Sequence, residues 1–358
     1  MGRVFAYNWA FEEDKQTVFD GKKLRKGLPK LKKGDIVLCE NIAPQQAEQI
    51  IKSGAQLLTC QPRLVSALRE KLLAKKSSDE NDAALIWLLY QQEPLSFRPW
   101  RKTPEILLDW RAFKSIQKER VREGNRLWQQ GLSQEEIEKH EVYRKLLEAE
   151  KAKLKVLEKE LEEYSIWTAW LKHIKGIGPA IAGGLIGYVD KLGIENIRTV
   201  SALWKYCGLA VEDGVAQRKK RGVPGNYDPQ LKCLCLKLLG DSFIRQSTQP
   251  YRSIYDEEKA RQKSRVFKPG ELKAKYPWYP ENADSLKPIH AELRARRKMV
   301  KIFLAHLWVI WRTLAGCEVR APYAHEKLGH SDYIEPPFCP EPVKALIASW
   351  KVSKVAVS

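Results

Sequence analysis

No stretch of the 358 residues comes near the roughly 20 consecutive apolar residues that a membrane-spanning helix needs, so a helical membrane protein is excluded. The opening Met1-Gly2-Arg3-Val4 lacks the plan of a signal peptide, and Gly2 is not followed by the serine or threonine that a myristoylation site requires. The seven cysteines, at positions 39, 60, 207, 233, 235, 317 and 339, include no C-x-x-C pair and form no regular framework. Buried, reduced thiols in a cytosolic protein are therefore expected, in place of disulfides or a structural zinc site. Acidic charge is also short: 44 Asp and Glu stand against 63 Lys and Arg, a formal net charge of +19.

That excess of positive charge points to a polyanionic partner, nucleic acid first, because each neutralised phosphate releases condensed counterions. Twelve tryptophans, several beside basic residues, could stack on bases, although tryptophan is also a common core residue. A hydrophobic fraction of 44% is ordinary for a folded protein, and the length allows two or three domains.

The first hundred residues read as an α/β layer. Strands are predicted over 3–10, 16–19, 35–40 and 56–60, and helices over 44–53, 62–75 and 83–91, with a basic connector over 22–33. Strand and helix in alternation argue for parallel pairing. Ser77 with Glu80 forms a capping box at the start of the 83–91 helix, so Asp79 and Asp82 also fit the role of plain helix-start signals. Prolines at 94, 99 and 104 mark the end of this region.

Residues 105–164 are helical and polar, interrupted near a second capping box at Ser133 and Glu136. Leucines at 146, 147, 154, 157 and 161 give an apolar stripe, so an antiparallel helical hairpin, a coiled coil, is expected. Its first arm carries Arg111, Lys114, Lys118, Arg120, Arg122 and Arg126, which could equally be a solvated face.

The stretch over 172–214 opens with Gly176-Ile177-Gly178-Pro179 and continues into a run of small residues up to Gly187. Two glycines spaced G-x-G before an alanine-rich helix suit a helix-hairpin-helix, whose second helix starts with backbone N–H groups able to meet a phosphate. Lys172 and Lys175 flank it. A plain turn packed on small residues satisfies the same spacing. Arg218-Lys219-Lys220-Arg221 is a basic loop able to lie on phosphates. Helices are expected over 231–239, 251–263 and 290–314, the last opening with Arg294, Arg296, Arg297, Lys298 and Lys301. Residues 264–289 read as irregular, and the proline-rich 336–342 as a surface tail. His290 and His306 could ligate a metal or move a proton, but such lone histidines usually serve packing.

Three acids could build a reactive site: Glu40 at a strand end, and Asp79 and Asp82 three apart on one helical face. Converging carboxylates repel one another, and Mg2+ relieves that repulsion while activating water in phosphodiester chemistry.

Taken in order, the pieces resemble the transposases of the insertion sequence 110 type. Cys39-Glu40-Asn41 stands at that family's acidic strand end, and Thr59-Cys60-Gln61-Pro62-Arg63-Leu64-Val65 is similar to its N-P-x-x-V. Lys76-Ser77-Ser78-Asp79-Glu80-Asn81-Asp82-Ala83 is close to its K-T-D-x-x-D-A, and Gly124-Asn125-Arg126-Leu127 resembles its R-N-R-L. Gly176-Ile177-Gly178-Pro179 and Tyr206-Cys207-Gly208-Leu209 match its C-terminal domain. The resemblance implies a ribonuclease-H-like (RuvC-like) domain over 1–100, a coiled-coil hairpin over 101–165 and a mainly helical C-terminal transposase domain over 166–358. It implies DNA transposition and recombination by a homodimer or homotetramer with a structured guide RNA and Mg2+, in a prokaryotic cytoplasm at the nucleoid. Glu40, Asp79 and Asp82 would be the catalytic metal ligands. Lys172, Lys175, Gly176, Gly178, Arg126, Arg296, Arg297 and the basic loop Arg218, Lys219, Lys220 and Arg221 would contact nucleic acid.

Two positions depart from the family. Its first Asp belongs on the opening strand, where Asn8 is the nearest isostere, with Asp14 and Asp20 further along. Its serine nucleophile belongs in the loop after Gly208-Leu209, yet residues 210–227 contain no serine, which leaves Ser242 and Ser247 beyond it. An active-site change or a catalytically impaired RNA- and DNA-binding relative, part of a ribonucleoprotein, would each account for both departures.

Overall fold

A computed structural model of the chain describes residues 2–73, 81–212, 215–217, 227–320 and 334–355. Two compact units divide at Lys102 and Thr103.

The first unit is an α/β sandwich. Its sheet has the order β3-β2-β1-β4-β5-β6, formed by β1 (Val4–Asn8), β2 (Thr17–Phe19), β3 (Leu24–Lys26), β4 (Ile36–Cys39), β5 (Gln56–Thr59) and β6 (Arg98–Pro99). β1 runs antiparallel to β2 and parallel to β4, and β4 runs parallel to β5. The parallel pairing expected from the alternation of strands and helices is thus present. Two short strands escaped sequence reading. β3 lies in the basic connector, where a single exposed leucine beside Arg25 and Lys26 gives no alternating pattern, and β6 contains Pro99, tolerated because β6 is an edge strand.

Alternation along the strands assigns the two faces. Phe5, Tyr7, Val37, Cys39 and Leu57 pack with Ala47 and Ile50 of α1 (Pro44–Lys52). Ala6 and Leu38 pack with Val65 of α2 (Pro62–Leu73) and Leu85, Ile86 and Leu89 of α3 (Asp82–Gln92). Residues i and i+2 of a strand share a face, so the sheet is covered on both sides.

The second unit is helical. Its α4 (Glu105–Gln129) and α6 (Glu141–Leu161) form the expected hairpin, with α5 (Gln134–Lys139) between them opened by the Ser133–Glu136 capping box. From the leucine stripe, Leu157 and Leu161 are fully buried. Ile106, Leu107, Trp110, Leu157 and Leu161 belong to the same hydrophobic core as residues beyond 166, so the division expected at 165 falls inside a continuous core. That core is completed by α7 (Ser165–Ala169), α8 (Pro179–Leu192), α9 (Val200–Tyr206), α10 (Pro229–Cys233), α11 (Gly240–Arg245), α12 (Tyr251–Lys263), α13 (Glu271–Lys275), α14 (Pro288–Leu314) and α15 (Glu341–Val355), of which α13 stands in a side cluster. The apolar stretch expected as one helix continues from α10 as a π-helical segment, Leu234–Leu239, into α11.

At the centre, Trp170 stacks on Phe303 at 5.5 Å between ring centroids and Phe243 on Tyr251 at 4.7 Å. Residues 264–289 are less irregular than their four prolines imply: Phe267, Leu272, Tyr279 and Leu286 close a small core of their own. The proline-rich end is held too, since Trp170 Nε1 donates to the carbonyl of Pro337 at 2.7 Å and Val343 and Ile347 of α15 are buried.

Candidate functional site

The acids come first. β1 and β4 pair in parallel with Val4 level with Ile36 and Ala6 level with Leu38, and continuing that register sets Asn8 beside Glu40. Level residues on parallel strands share a face, here the one covered by α2 and α3. Asn8 and Glu40 therefore stand together at the ends of neighbouring strands. The thiols around Glu40 are poor nucleophiles: burial pushes the Cys39 thiol up, and pushes Cys60 up to about 12, with the Glu40 charge adding to each.

Asp82 opens α3, but the spacing argument did not foresee its partner. Arg69 of α2 donates to its Oδ1 from Nε at 2.9 Å and from a terminal nitrogen at 2.6 Å, with the arginine 8% and the aspartate 4% exposed. The Asp82 charge is thus balanced by a guanidinium. Nothing in sequence spacing flags Arg69, which sits seven residues into a helix of ordinary composition. Asp79 and the Ser77–Glu80 capping box lie outside the described residues, as do Arg218, Lys219, Lys220 and Arg221. Among the described residues no group of three or more His, Cys, Asp or Glu side chains converges as metal ligands. Asn8 with Glu40, one amide and one carboxylate, falls short of the hard, charged oxygen shell that Mg2+ prefers.

The glycine turn sits in the helical unit. Ile174 and Ile177 anchor it in the core, while Lys172, Lys175 and Gly178 are exposed. Gly176 adopts φ 87°, and a Cβ there would fall 2.7 Å from the Ser242 hydroxyl, so both conformation and space require glycine. Gly178 precedes α8 with φ −94° and open space around a would-be Cβ, so neither constraint applies to it. The turn is fastened from α11 and the connection that follows it: the Ser242 hydroxyl donates to the Gly176 carbonyl at 2.6 Å, and the Thr248 hydroxyl to the Lys175 carbonyl at 2.8 Å. A carbonyl cannot take a proton from an alcohol as a general base would, so Ser242 is placed to brace the turn. Ser247 is exposed in the connection between α11 and α12.

The other expected contacts divide between exposed and structural. Lys172 lies 3.8 Å from exposed Glu162. Arg126 grips Glu123 with two hydrogen bonds at 2.8 and 2.6 Å on the exposed hairpin. Arg296 is held by Asp241, by Glu292 at 3.0 Å and by the Leu236 carbonyl at 3.2 Å, the signature of a strut between helices. Arg297 is half-buried, and its charge, after burial itself, lowers the pKa of Lys301. Lys301 lies 3.9 Å over the ring of Trp204. Among the described residues neither histidine joins a group of metal ligands: His290 meets the Tyr279 hydroxyl, and His306 is buried between Tyr251 and the Ile334 carbonyl. No helix of the described residues is long and apolar enough to cross a membrane. Comparison with models of known protein families finds none that matches the chain, and comparison with curated proteins finds none that matches it either.

Proposed function

We propose that the chain is a DNA transposase of a mobile element, a recombinase of the insertion sequence 110 type guided by a structured RNA, with a ribonuclease-H-like N-terminal unit. The observation that carries this reading is the strand order. An antiparallel meander β3-β2-β1, followed by β4 parallel to β1 and β5 parallel to β4 with helices on both faces, supports a ribonuclease-H-like reading of the sheet. Glu40 then stands just past the end of β4, beside Asn8 on β1. The braced Gly176 turn with exposed Lys172 and Lys175, together with the net charge of +19, supports a nucleic-acid partner. The guide RNA, the homo-oligomer and the nucleoid location enter through the resemblance of the ordered motifs. No step is assigned to a metal ion on the described residues.

The test is strand joining on DNA that carries the element's flanks, with the RNA retained by the protein. Glu40→Gln is expected to abolish joining and leave RNA retention unchanged; joining at the wild-type rate would remove Glu40 from the chemistry.

A second reading, a nucleic-acid-binding ribonucleoprotein component without strand cleavage, is favoured by two features. Asn8 stands where the family has an acid, and Asp82 is held by Arg69. Asn8→Asp separates the two readings: a gain in Mg2+-dependent joining supports the recombinase, and joining absent from both forms supports the binding component.

A further inference from the structure

Residues 264–289 hold more than their own small core. In Tyr276-Pro277-Trp278-Tyr279-Pro280 the Tyr279 amide donates to the Tyr276 carbonyl at 2.9 Å, closing a turn with proline in its second place. Proline fixes φ at about −65°, the value that position requires. Trp278 follows it at the corner of the turn and is 47% exposed, outside the core that Phe267, Leu272, Tyr279 and Leu286 close. Its ring lies 5.5 Å from Tyr276 and 6.4 Å from His290, and Tyr276 lies 6.2 Å from His290. Three rings from two elements, the turn and the start of α14, thus stand together, Tyr276 and His290 half-buried and Trp278 exposed.

Hydrogen bonds fix the half-buried rings. The buried Tyr279 hydroxyl accepts from the Lys287 amide at 3.0 Å and bonds His290 Nδ1. One terminal nitrogen of Arg294 donates to the Tyr276 hydroxyl at 3.1 Å and the other to Gln262 of α12 at 3.0 Å, which itself donates to buried Glu258 at 2.6 Å. Rings held in this way lose little freedom when a ligand stacks on them. The surroundings are basic. Lys287 lies 5.5 Å over the Tyr279 ring, and the Arg294 guanidinium 5.8 Å over that of Tyr276. Over 264–298 basic residues outnumber acidic ones, and three of the four acids already hold cations: Glu271 with Lys275 at 3.4 Å, Glu281 with Lys273 at 2.6 Å and Glu292 with Arg296 at 3.0 Å.

We propose that Tyr276, Trp278 and His290 form a stacking platform for the unpaired bases of a single-stranded nucleic acid, with Lys287 and Arg294 supplying positive charge beside it. A nucleotide offers a π face to the rings and a phosphate to the cations, the pairing that single-strand binding uses. Exposed aromatic rings also suit a quaternary ammonium ion, but the cations already seated over Tyr276 and Tyr279 repel one. The platform rests on the nucleic-acid partner of the reading above and not on strand joining. A duplex keeps its bases stacked on one another and has none to offer the rings.

Irradiation of the full wild-type chain bound to an oligothymidylate carrying bromodeoxyuridine tests the platform without any variant. The three rings share one tryptic peptide, ending at Arg294 because the Lys287–Pro288 bond resists trypsin. Crosslinks are expected on that peptide, and crosslinks confined to other peptides would overturn the proposal. In a second measurement, Trp278→Ala is expected to weaken oligothymidylate binding roughly 5- to 150-fold, the range for one stacked base, without changing its salt dependence. Binding of a duplex of equal length is expected to stay unchanged. Trp128→Ala, which removes another exposed tryptophan, is the control and is expected to change neither. Trp278→Phe keeps a ring and is expected to retain most of the affinity. Wild-type affinity in Trp278→Ala overturns the platform, as does an equal loss on strand and duplex. A wild-type chain that binds neither strand nor duplex would instead remove the nucleic-acid partner itself, and the platform with it.

Discussion

His306 illustrates how one buried side chain sets a pH limit. A carbonyl only accepts, so the ring donates from Nε2 to Ile334 at 2.8 Å, and Nδ1 then accepts from the Tyr251 hydroxyl at 3.0 Å. The neutral ring fits this pair of bonds, and burial lowers its pKa from 6.5 to about 4. Between those values the unfolded chain binds the proton and the folded chain does not, so stability is complete above about 6.5 and falls as the pH drops toward about 4. The full loss is on the order of 3 kcal/mol for a shift of this size. Urea denaturation at pH 7 and pH 4.5 checks it, with His306→Gln expected to flatten the difference. Asp82 gives a second prediction at this scale. Asp82→Ala removes both hydrogen bonds that buried Arg69 makes to the Asp82 carboxylate, and is expected to cost about 3–5 kcal/mol of stability. An Asp82→Ala protein more stable than wild type would mean that the carboxylate is strained by other acids, as a metal ligand awaiting its ion would be.

Among the elements, legibility followed periodicity. The Pro44–Lys52 and Pro62–Leu73 helices and the buried strands Ile36–Cys39 and Gln56–Thr59 stood out because each carries a regular apolar pattern bounded by turn residues. The Ser133–Glu136 capping box was legible because its two partners are three residues apart. What could not be read depends on residues far apart in sequence. The Arg69–Asp82 pair joins two helices, the Ser242 brace reaches back 66 residues to Gly176, and β3 and β6 exist only because a neighbouring strand offers them a ladder. The small residues of α8 were visible in the sequence, but not that α4 would fill the notch they leave. Gly187→Ala tests that packing: the added methyl would meet Leu107 Cα at 2.9 Å, backbone that cannot swing aside. A loss of about 1–3 kcal/mol is expected by denaturant titration, and a neutral result would mean that the two helices are not in close contact there.

At the scale of the whole molecule, the charge of +19 and the two kinds of unit give the account its direction. On the proposed reading, the covered mixed sheet with Glu40 just past the end of β4 would be the platform for phosphodiester chemistry, and the braced glycine turn of the helical unit would be a place for a phosphate. The excess charge acts through counterion release whatever the sequence of the nucleic acid, so affinity alone cannot separate a guided recombinase from a general binder. The identity of the bound RNA can. The most direct measurement is sequencing of the RNA that survives a high-salt wash of the protein, expressed together with the DNA that flanks its gene. The account predicts one discrete, structured RNA transcribed from beside the gene. Bulk RNA fragments with no dominant species would contradict it.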